Sequence, residues 1–484
     1  MTSTKAIVEE YAKHDGVGLA ILMKSDEIGA MEVMEAAIEL SHRLDAELNF
    51  LAVDCADIGR EYARGPLPSS PLAGVPYLLK DAFTSWAGTV TTSGCKLFAG
   101  VISQTDSETV RRAKAAGLWL FGKSTTPEWG WALSTETLLH GDTRNPWDIT
   151  RTPGGSSGGA AAAVASGAVP LANSSDGGGS TRIPAAYCGL VGLKASRGRI
   201  SAGPDVIDMT AGMAQEGCVS RTVRDQAAYL DIMHGQLMGE RDRMPRLERS
   251  FSAALRSPRR PLHIGVTTRS LSHVQTYSAG VAGVEKAVKL CEQLGHHIDE
   301  VSFSGFDYVQ AYSHARAIYG LGHLGVLRQA RELKGAEPSG DDFMRFMFES
   351  ARSSAAMTAY EYLMHTEGIR IAGREIETAC SPFDLVLTPM SIIPPPKIGQ
   401  NHMRDTELEE YHAALRDYGM VFSIPFNISG QPACSVPIDV DAEGLPVGLQ
   451  IVGPWGDEAT VLALAAEIEE ASPWIGRHPP IWAA

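Results

Sequence analysis

The apolar positions of this chain fall into two alternating rhythms. Ile28, Met31, Met34, Ile38 and Leu44 recur at roughly helical spacing, so residues 27–46 read as a helix with one buried face. Residues 47–70 read as a strand and a connector. Pro71–Asp81, punctuated by Pro and Gly, reads as a strand in which Lys80 follows four apolar or aromatic residues. A lysine approached through such a run is expected to be buried. Thr105-Asp-Ser-Glu108 has the form of a capping box and opens a helix that stops at Gly117. Leu118–Phe121 is then a buried strand.

The alternation continues with a helix near 158–167, a strand at 169–173, a helix at 220–235 and a strand at 262–266. A helix near 279–294 ends at Gly295, before a strand from His296 to Val301. Residues 306–380 change character: they are mostly helical, rich in Ala, Tyr, Met and Arg, and read as an inserted helical layer or lid. Strand patterns return at Asp384–Thr388, Ala433–Pro437 and Val447–Val452, and Asp457–Ala471 closes the chain as a helix. Helices alternating with strands in this way predict an α/β fold, a mixed or parallel sheet covered by helices.

Composition narrows the picture. At 484 residues the chain would ordinarily suggest two to four domains, although large α/β folds exceed the usual size. The formal net charge of −15 argues against nucleic acid or an anionic membrane as the main partner, because both need clustered Lys and Arg. The seven cysteines are scattered, without a CxxC pair, and point to reduced thiols and a cytoplasmic setting. The N-terminal residues lack an apolar signal core. Fourteen histidines are present, but no HExxH and no Cys/His ligand cluster, so neither a metal nor another cofactor is expected.

Candidate chemistry concentrates between Arg151 and Arg182. Two serine clusters cradled by glycine, Gly154–Gly159 and Ser174–Ser180, flank a small-residue helix and a short strand. Serine among glycines offers an exposed hydroxyl beside free N–H groups, which a nucleophile next to an oxyanion hole requires. Three other motifs mislead. Gly117–Ser124 matches the phosphate-loop pattern, and a nucleotide-binding protein would follow from it. However, a helix precedes it and Leu, Trp, Leu and Phe fill it, which suits a sheet strand. Gly155–Gly159 matches the GxSxG elbow centred on Ser157, but a loop precedes it instead of a strand. Ser93-Gly-Cys-Lys96 matches SxxK without the companion KTG.

Taken together, Lys80 and the two serine clusters resemble the amidase signature family of serine hydrolases. The resemblance rests on Gly74–Asp81, Gly122–Glu128, Asn145-Pro-Trp147, Gly154–Gly159, Asp176–Pro184, Cys188–Lys194 and Arg221–Asp225. Pro425–Pro432 and Gly444–Gln450 also fit, and the phrasing is closest to the branch that contains 6-aminohexanoate cyclic dimer hydrolase. Two residues depart from the pattern. Gly177 stands where a larger residue is common, and Ala195 where proline is frequent.

The family implies one amidase signature domain over residues 1–484. Within it, residues 70–237 form the core signature region and residues 306–380 a helical insertion or lid. It also implies a large mixed central sheet with helices on both faces, and a Ser–cisSer–Lys triad. Ser180 would be the nucleophile, Ser156 the bridging serine after a cis peptide bond, and Lys80 the base. Gly177, Gly178 and Gly179 would supply the oxyanion hole, with Ser157, Asp176 and Arg182 as support. Trp131, Met213 and Phe426 are the expected pocket residues, with Trp86 and Trp129 nearby. The implied partner is a small amide or carbamate, bound by a monomer or homodimer. An amidase subunit of a tRNA-dependent amidotransferase is the alternative within the family.

Overall fold

The described residues hold thirteen strands: β1 (Leu51–Asp54), β2 (Pro76–Lys80), β3 (Trp119–Ser124), β4 (Glu136–Thr137), β5 (Gly141–Asp142), β6 (Leu171–Asp176), β7 (Val191–Lys194), β8 (Gln215–Ser220), β9 (His263–Val266), β10 (His297–Glu300), β11 (Leu385–Pro389), β12 (Ala433–Val440) and β13 (Pro446–Val452). The computed structural model describes residues 4–204, 206, 210–242, 244–245, 247–256, 260–400 and 403–483, with residues 4–6 as backbone only. Among these residues, β4 and β5 form a small hairpin, and the other 11 strands make one sheet in the order β1-β3-β2-β6-β8-β7-β12-β13-β11-β9-β10. The sheet is mixed: β2 runs parallel to β3 and β6, and β9 to β10 and β11, while β6, β7, β8, β12 and β13 pair antiparallel.

Strand alternation places Lys80. Tyr77 and Leu79 of β2 join one core with the helices Glu108–Ala115, Val223–Met233 and Glu458–Ala471. Leu78 joins a different core, with the helices Ala30–Leu48 and Gly158–Ala165. Successive side chains of a strand point to opposite faces, so Lys80 follows Leu78 toward the helix Gly158–Ala165. That helix can lie against the strands because its first two residues are glycines. A Cβ added at Gly159 would sit 2.5 Å from Thr125 N, and one at Gly158 would sit 2.2 Å from Thr135 Oγ1.

A third core joins the helices Tyr308–Lys334, Arg345–Ser354 and Ala359–Cys380 to Met213, Met420, Phe426 and Ala433. Among the described residues no helix is long and apolar enough to cross a membrane.

Two expectations change. Residues 56–63 form a helix where a connector was expected. Gly59 lowers the helix signal there, and packing explains it, because a Cβ would sit 2.5 Å from Phe121 Cβ. The helices Thr4–Lys13 and Gly16–Lys24, and the strands β7 and β8, were not expected at all. Gly117–Ser124 is, as expected, a turn followed by the fully buried strand β3, and Lys123 Nζ donates to Val90 O and Thr91 Oγ1, both at 2.6 Å. Its ammonium is committed to the fold, as the strand reading of this segment requires.

Candidate active site

Lys80 ends β2 with no solvent exposure. Its Nζ lies 2.6 Å from Ser156 Oγ and 2.9 Å from Ser175 Oγ. Its backbone N–H donates to Asn173 Oδ1, which fixes the strand end against β6. Burial pushes the lysine pKa down to about 7, against the opposing pull of the Glu216 and Asp176 carboxylates. Ser156 follows a cis peptide bond from Gly155. The neighbouring Ser157 is fully buried, accepts from Ser175 N at 3.3 Å and donates to Ser175 O at 3.4 Å. The adjacent serines therefore divide: Ser156 faces the lysine, and Ser157 ties the helix start to β6.

The loop Gly177-Gly178-Gly179 between β6 and Ser180 is held from several sides. Asp176 Oδ1 accepts from Gly179 N at 2.7 Å and from Asn427 Nδ2 at 2.9 Å. Arg182 reaches both carboxylate oxygens of Asp176, from Nε at 2.9 Å and Nη2 at 3.0 Å. Burial alone would raise the Asp176 carboxyl pKa. The Arg182 guanidinium reverses this and holds it below the usual carboxylate range. Tyr319 Oη donates to Gly177 O at 2.6 Å, and Ser423 Oγ donates to Gly178 O at 2.5 Å. Among the described residues, the N–H groups of Gly177, Gly178 and Ser180 and the Ser180 hydroxyl have no protein partner.

Ser156, Ser175, Gly177, Gly178 and Ser180 all line a cavity of about 380 Å³. The rest of its wall is largely aromatic and aliphatic, including Phe83, Trp129, Trp131, Tyr312, Phe346 and Met420. Lys80 lies behind Ser156, outside the cavity wall. Among the described residues, three buried nitrogens of wall residues, Trp129 Nε1, Trp131 Nε1 and His323 Nε2, have no hydrogen-bond partner. Burial, with the His412 imidazole, pushes the His323 pKa down to about 3, so its ring is neutral near pH 7. No Asp, Glu, Lys or Arg side chain lines this cavity among the described residues.

A serine hydroxyl with no other partner, a second serine against a buried lysine and free backbone N–H groups on one cavity wall suit acyl transfer. The profile of the amidase family matches residues 32–462. The chain belongs to the amidase signature family. It is 34% identical to the 6-aminohexanoate-cyclic-dimer hydrolase of Pseudomonas sp. (strain NK87) over 477 residues, 96% of each chain. The solved structure of 6-aminohexanoate cyclic dimer hydrolase with substrate superposes with a TM-score of 0.92 at 33% identity, covering 97% of this chain and 99% of that one. A bacterial aryl acylamidase of the amidase signature family superposes with a TM-score of 0.86 at 26% identity, over 95% and 96% of the two chains. This amidase is thus a hydrolase acting on amide carbon–nitrogen bonds.

The amidase brings together most of the residues its sequence singled out, with three departures. Gly179 does not offer its N–H to the cavity, because Asp176 takes it. Met213 and Phe426 are not cavity residues. Both are sealed in the core, at 0% and 2% exposure, where Met213 O accepts from the same Asn427 that braces Asp176. Trp131 and Trp129 do line the cavity, whereas Trp86 packs in the opposite core. Ser175, Tyr319, His323 and Met420 escaped sequence reading. Ser175 sits within the quoted cluster, one residue before Asp176. The other three come from helical segments whose patterns show only amphipathic packing.

The Asp176–Arg182 pair yields a stability prediction. Removing one partner of a buried ion pair leaves an uncompensated charge and costs about 3–5 kcal/mol. Arg182→Met should lower the unfolding free energy by about that amount. A denaturant titration showing less than about 1 kcal/mol would mean that the loop does not depend on this pair.

Proposed function

We propose that this amidase cleaves its substrates through an acyl-enzyme on Ser180, with Ser156 and Lys80 as a proton relay. The observation that carries the reading is the buried Lys80 Nζ, 2.6 Å from Ser156 Oγ, behind a cavity wall that also presents Ser180. Lysine is a base only when neutral, and burial favours that form. Ser180 Oγ attacks the carbonyl carbon as its proton passes to Ser156, whose own proton passes to Lys80. The carbonyl oxygen becomes an oxyanion, met by the free N–H groups of the Gly177–Ser180 loop. Tyr319 and Ser423, by gripping the Gly177 and Gly178 carbonyls, hold those peptide planes in place. Collapse breaks the C–N bond, and the leaving amine takes the proton back through Ser156. Water then repeats the sequence on the acyl ester.

The cavity supports neutral, largely apolar acyl groups. Anilides, carbamates and esters are then also substrates, because each presents a carbonyl to the same hydroxyl. The helical segment 306–380 closes over the acyl group, since Tyr312, Tyr319, His323 and Phe346 from this segment stand on the cavity wall. The unpaired Trp and His nitrogens give a polar group farther along the substrate a neutral anchor. The names of the full-length relatives make the cyclic dimer of 6-aminohexanoate a reasonable member of the test panel.

The test compares kcat/KM for a hydrophobic anilide, its matched ester and carbamate, that cyclic dimer, and glutamine. Burying about 100 Å² more apolar surface contributes about 2.5 kcal/mol, so the anilide should exceed glutamine by about 70-fold or more. Preference for glutamine would contradict the apolar-cavity reading and favour the amidotransferase alternative.

A further inference from the structure

The triad leaves one buried ionisable group unused. Glu216 lies on β8, directly opposite Ser175 of the antiparallel β6. Directly opposed residues of such a pair share a face, with Cβ atoms about 5 Å apart. Ser175 Oγ is itself 2.9 Å from Lys80 Nζ, so the carboxyl stands next to a direct neighbour of the base. A second connection runs through Asn173. Its Oδ1 accepts from Lys80 N at 3.1 Å, and its Nδ2 donates to Glu216 Oε2 at 3.2 Å. Glu216 is 3% exposed, and its Oε1 is buried with no hydrogen-bond partner among the described residues.

A carboxyl so placed needs an explanation, because an unsatisfied buried carboxylate is expensive. Packing does not supply one, since a glutamine or methionine would fill the same space without the charge. A cavity of about 40 Å³, lined by Glu216, Arg197, Gln215, Glu240, Arg241 and Asp242, adjoins it.

We propose that Glu216 is a positioning residue for the reaction, the counter-charge that receives Lys80 as an ammonium when the relay delivers its proton. The inference rests on the relay proposed above. When Ser180 attacks, its proton reaches Lys80 Nζ by way of Ser156. The new ammonium is stabilised by the Glu216 carboxylate. The proton returns to the leaving amine as the C–N bond breaks, and no atom is gained or lost at Glu216. Burial raises the carboxyl pKa, with Asn173 and Lys80 opposing, so the two groups titrate as a pair.

Other charged and titratable groups also face this pair. Asp176 on β6 adds a second pull on Lys80 but is neutralised by Arg182. Lys194 on β7 is pushed by burial toward its neutral form. Tyr77 on β2 and Tyr229 on the helix Val223–Met233 face the carboxyl as neutral phenols, their pKa values raised by burial. Arg197 and Arg241 line the small cavity beside Glu216, and among the described residues Asn173 is the hydrogen-bond partner of its carboxyl.

The experiment is the pH dependence of kcat/KM for Glu216→Gln, with folding checked by thermal melting. Removing the carboxylate withdraws the interaction that favours the ammonium. The acidic limb of the profile should then move to lower pH by about one unit, and the plateau should fall about 10- to 100-fold. A limb at the native pH, with or without a lower plateau, would overturn the proposal, because a purely structural role changes the rate but not the midpoint. Should the glutamine variant not fold, Glu216→Asp carries the test. It draws the charge back by one methylene and should shift the limb in the same direction by a smaller step, and an unmoved limb again overturns the proposal. The native enzyme separates this inference from the reading beneath it. If Ser180 is not acylated, the relay itself fails; if it is acylated and the limb of the variant stays put, only the role of Glu216 fails.

Discussion

Ser180→Ala is expected to lower kcat by roughly 10⁴- to 10⁶-fold while leaving the melting temperature nearly unchanged. The side chain is small and 7% exposed, and its hydroxyl has no partner among the described residues, so the fold gives up little when it is removed. The chemistry gives up its covalent step. What remains is catalysis by the free N–H groups and by substrate binding, which in serine hydrolases still exceeds the reaction in water. Single-turnover rates on the hydrophobic anilide measure the loss. A variant that kept more than a tenth of the native rate would place the nucleophile elsewhere.

Lys80→Met should be nearly as damaging, with a loss of about 10³- to 10⁵-fold. Lys80→Arg should be no better, because a guanidinium stays charged and cannot take a proton. The native pH profile carries the sign of the argument. The active form holds a neutral lysine, and burial sets its pKa at about 7, far below an ordinary lysine. kcat/KM should therefore climb nearly tenfold per pH unit on the acid side and level off above about pH 7. A limb near pH 10 would mean that the lysine titrates as if exposed, and a methionine variant of near-native rate would mean that another group is the base.

Much of this arrangement was legible before any coordinates. The run Pro76-Tyr-Leu-Leu-Lys80 announced a buried lysine, because four apolar residues in a strand leave its end no route to solvent. The glycines around Ser156 and Ser180 announced close backbone approach, and Gly159 against Thr125 is such an approach. What stayed hidden followed a different logic. β8 reads Gln215-Glu-Gly-Cys-Val-Ser220, a polar stretch with no strand signature, and is nevertheless fully buried because its neighbours β6 and β7 are as well. Glu216 was invisible for that reason. Met213 and Phe426 were placed at the cavity because they lie near family segments, but proximity in sequence says nothing of which side of the Asp176 loop a side chain occupies. The cavity wall from Tyr312 to Phe346 comes from helices whose sequence shows amphipathic packing and not what the packed face encloses.

The central claim is that one particular serine carries the acyl group. A fluorophosphonate reacts with an activated serine and leaves a phosphonyl mass on it, so digestion and mass spectrometry read the attachment site directly. The account predicts one label per chain, on the peptide holding Ser180, at a rate that rises with pH alongside kcat/KM and is lost in Lys80→Met. A label on Ser157 or on any other serine, or no label on an enzyme that hydrolyses the anilide, would contradict it.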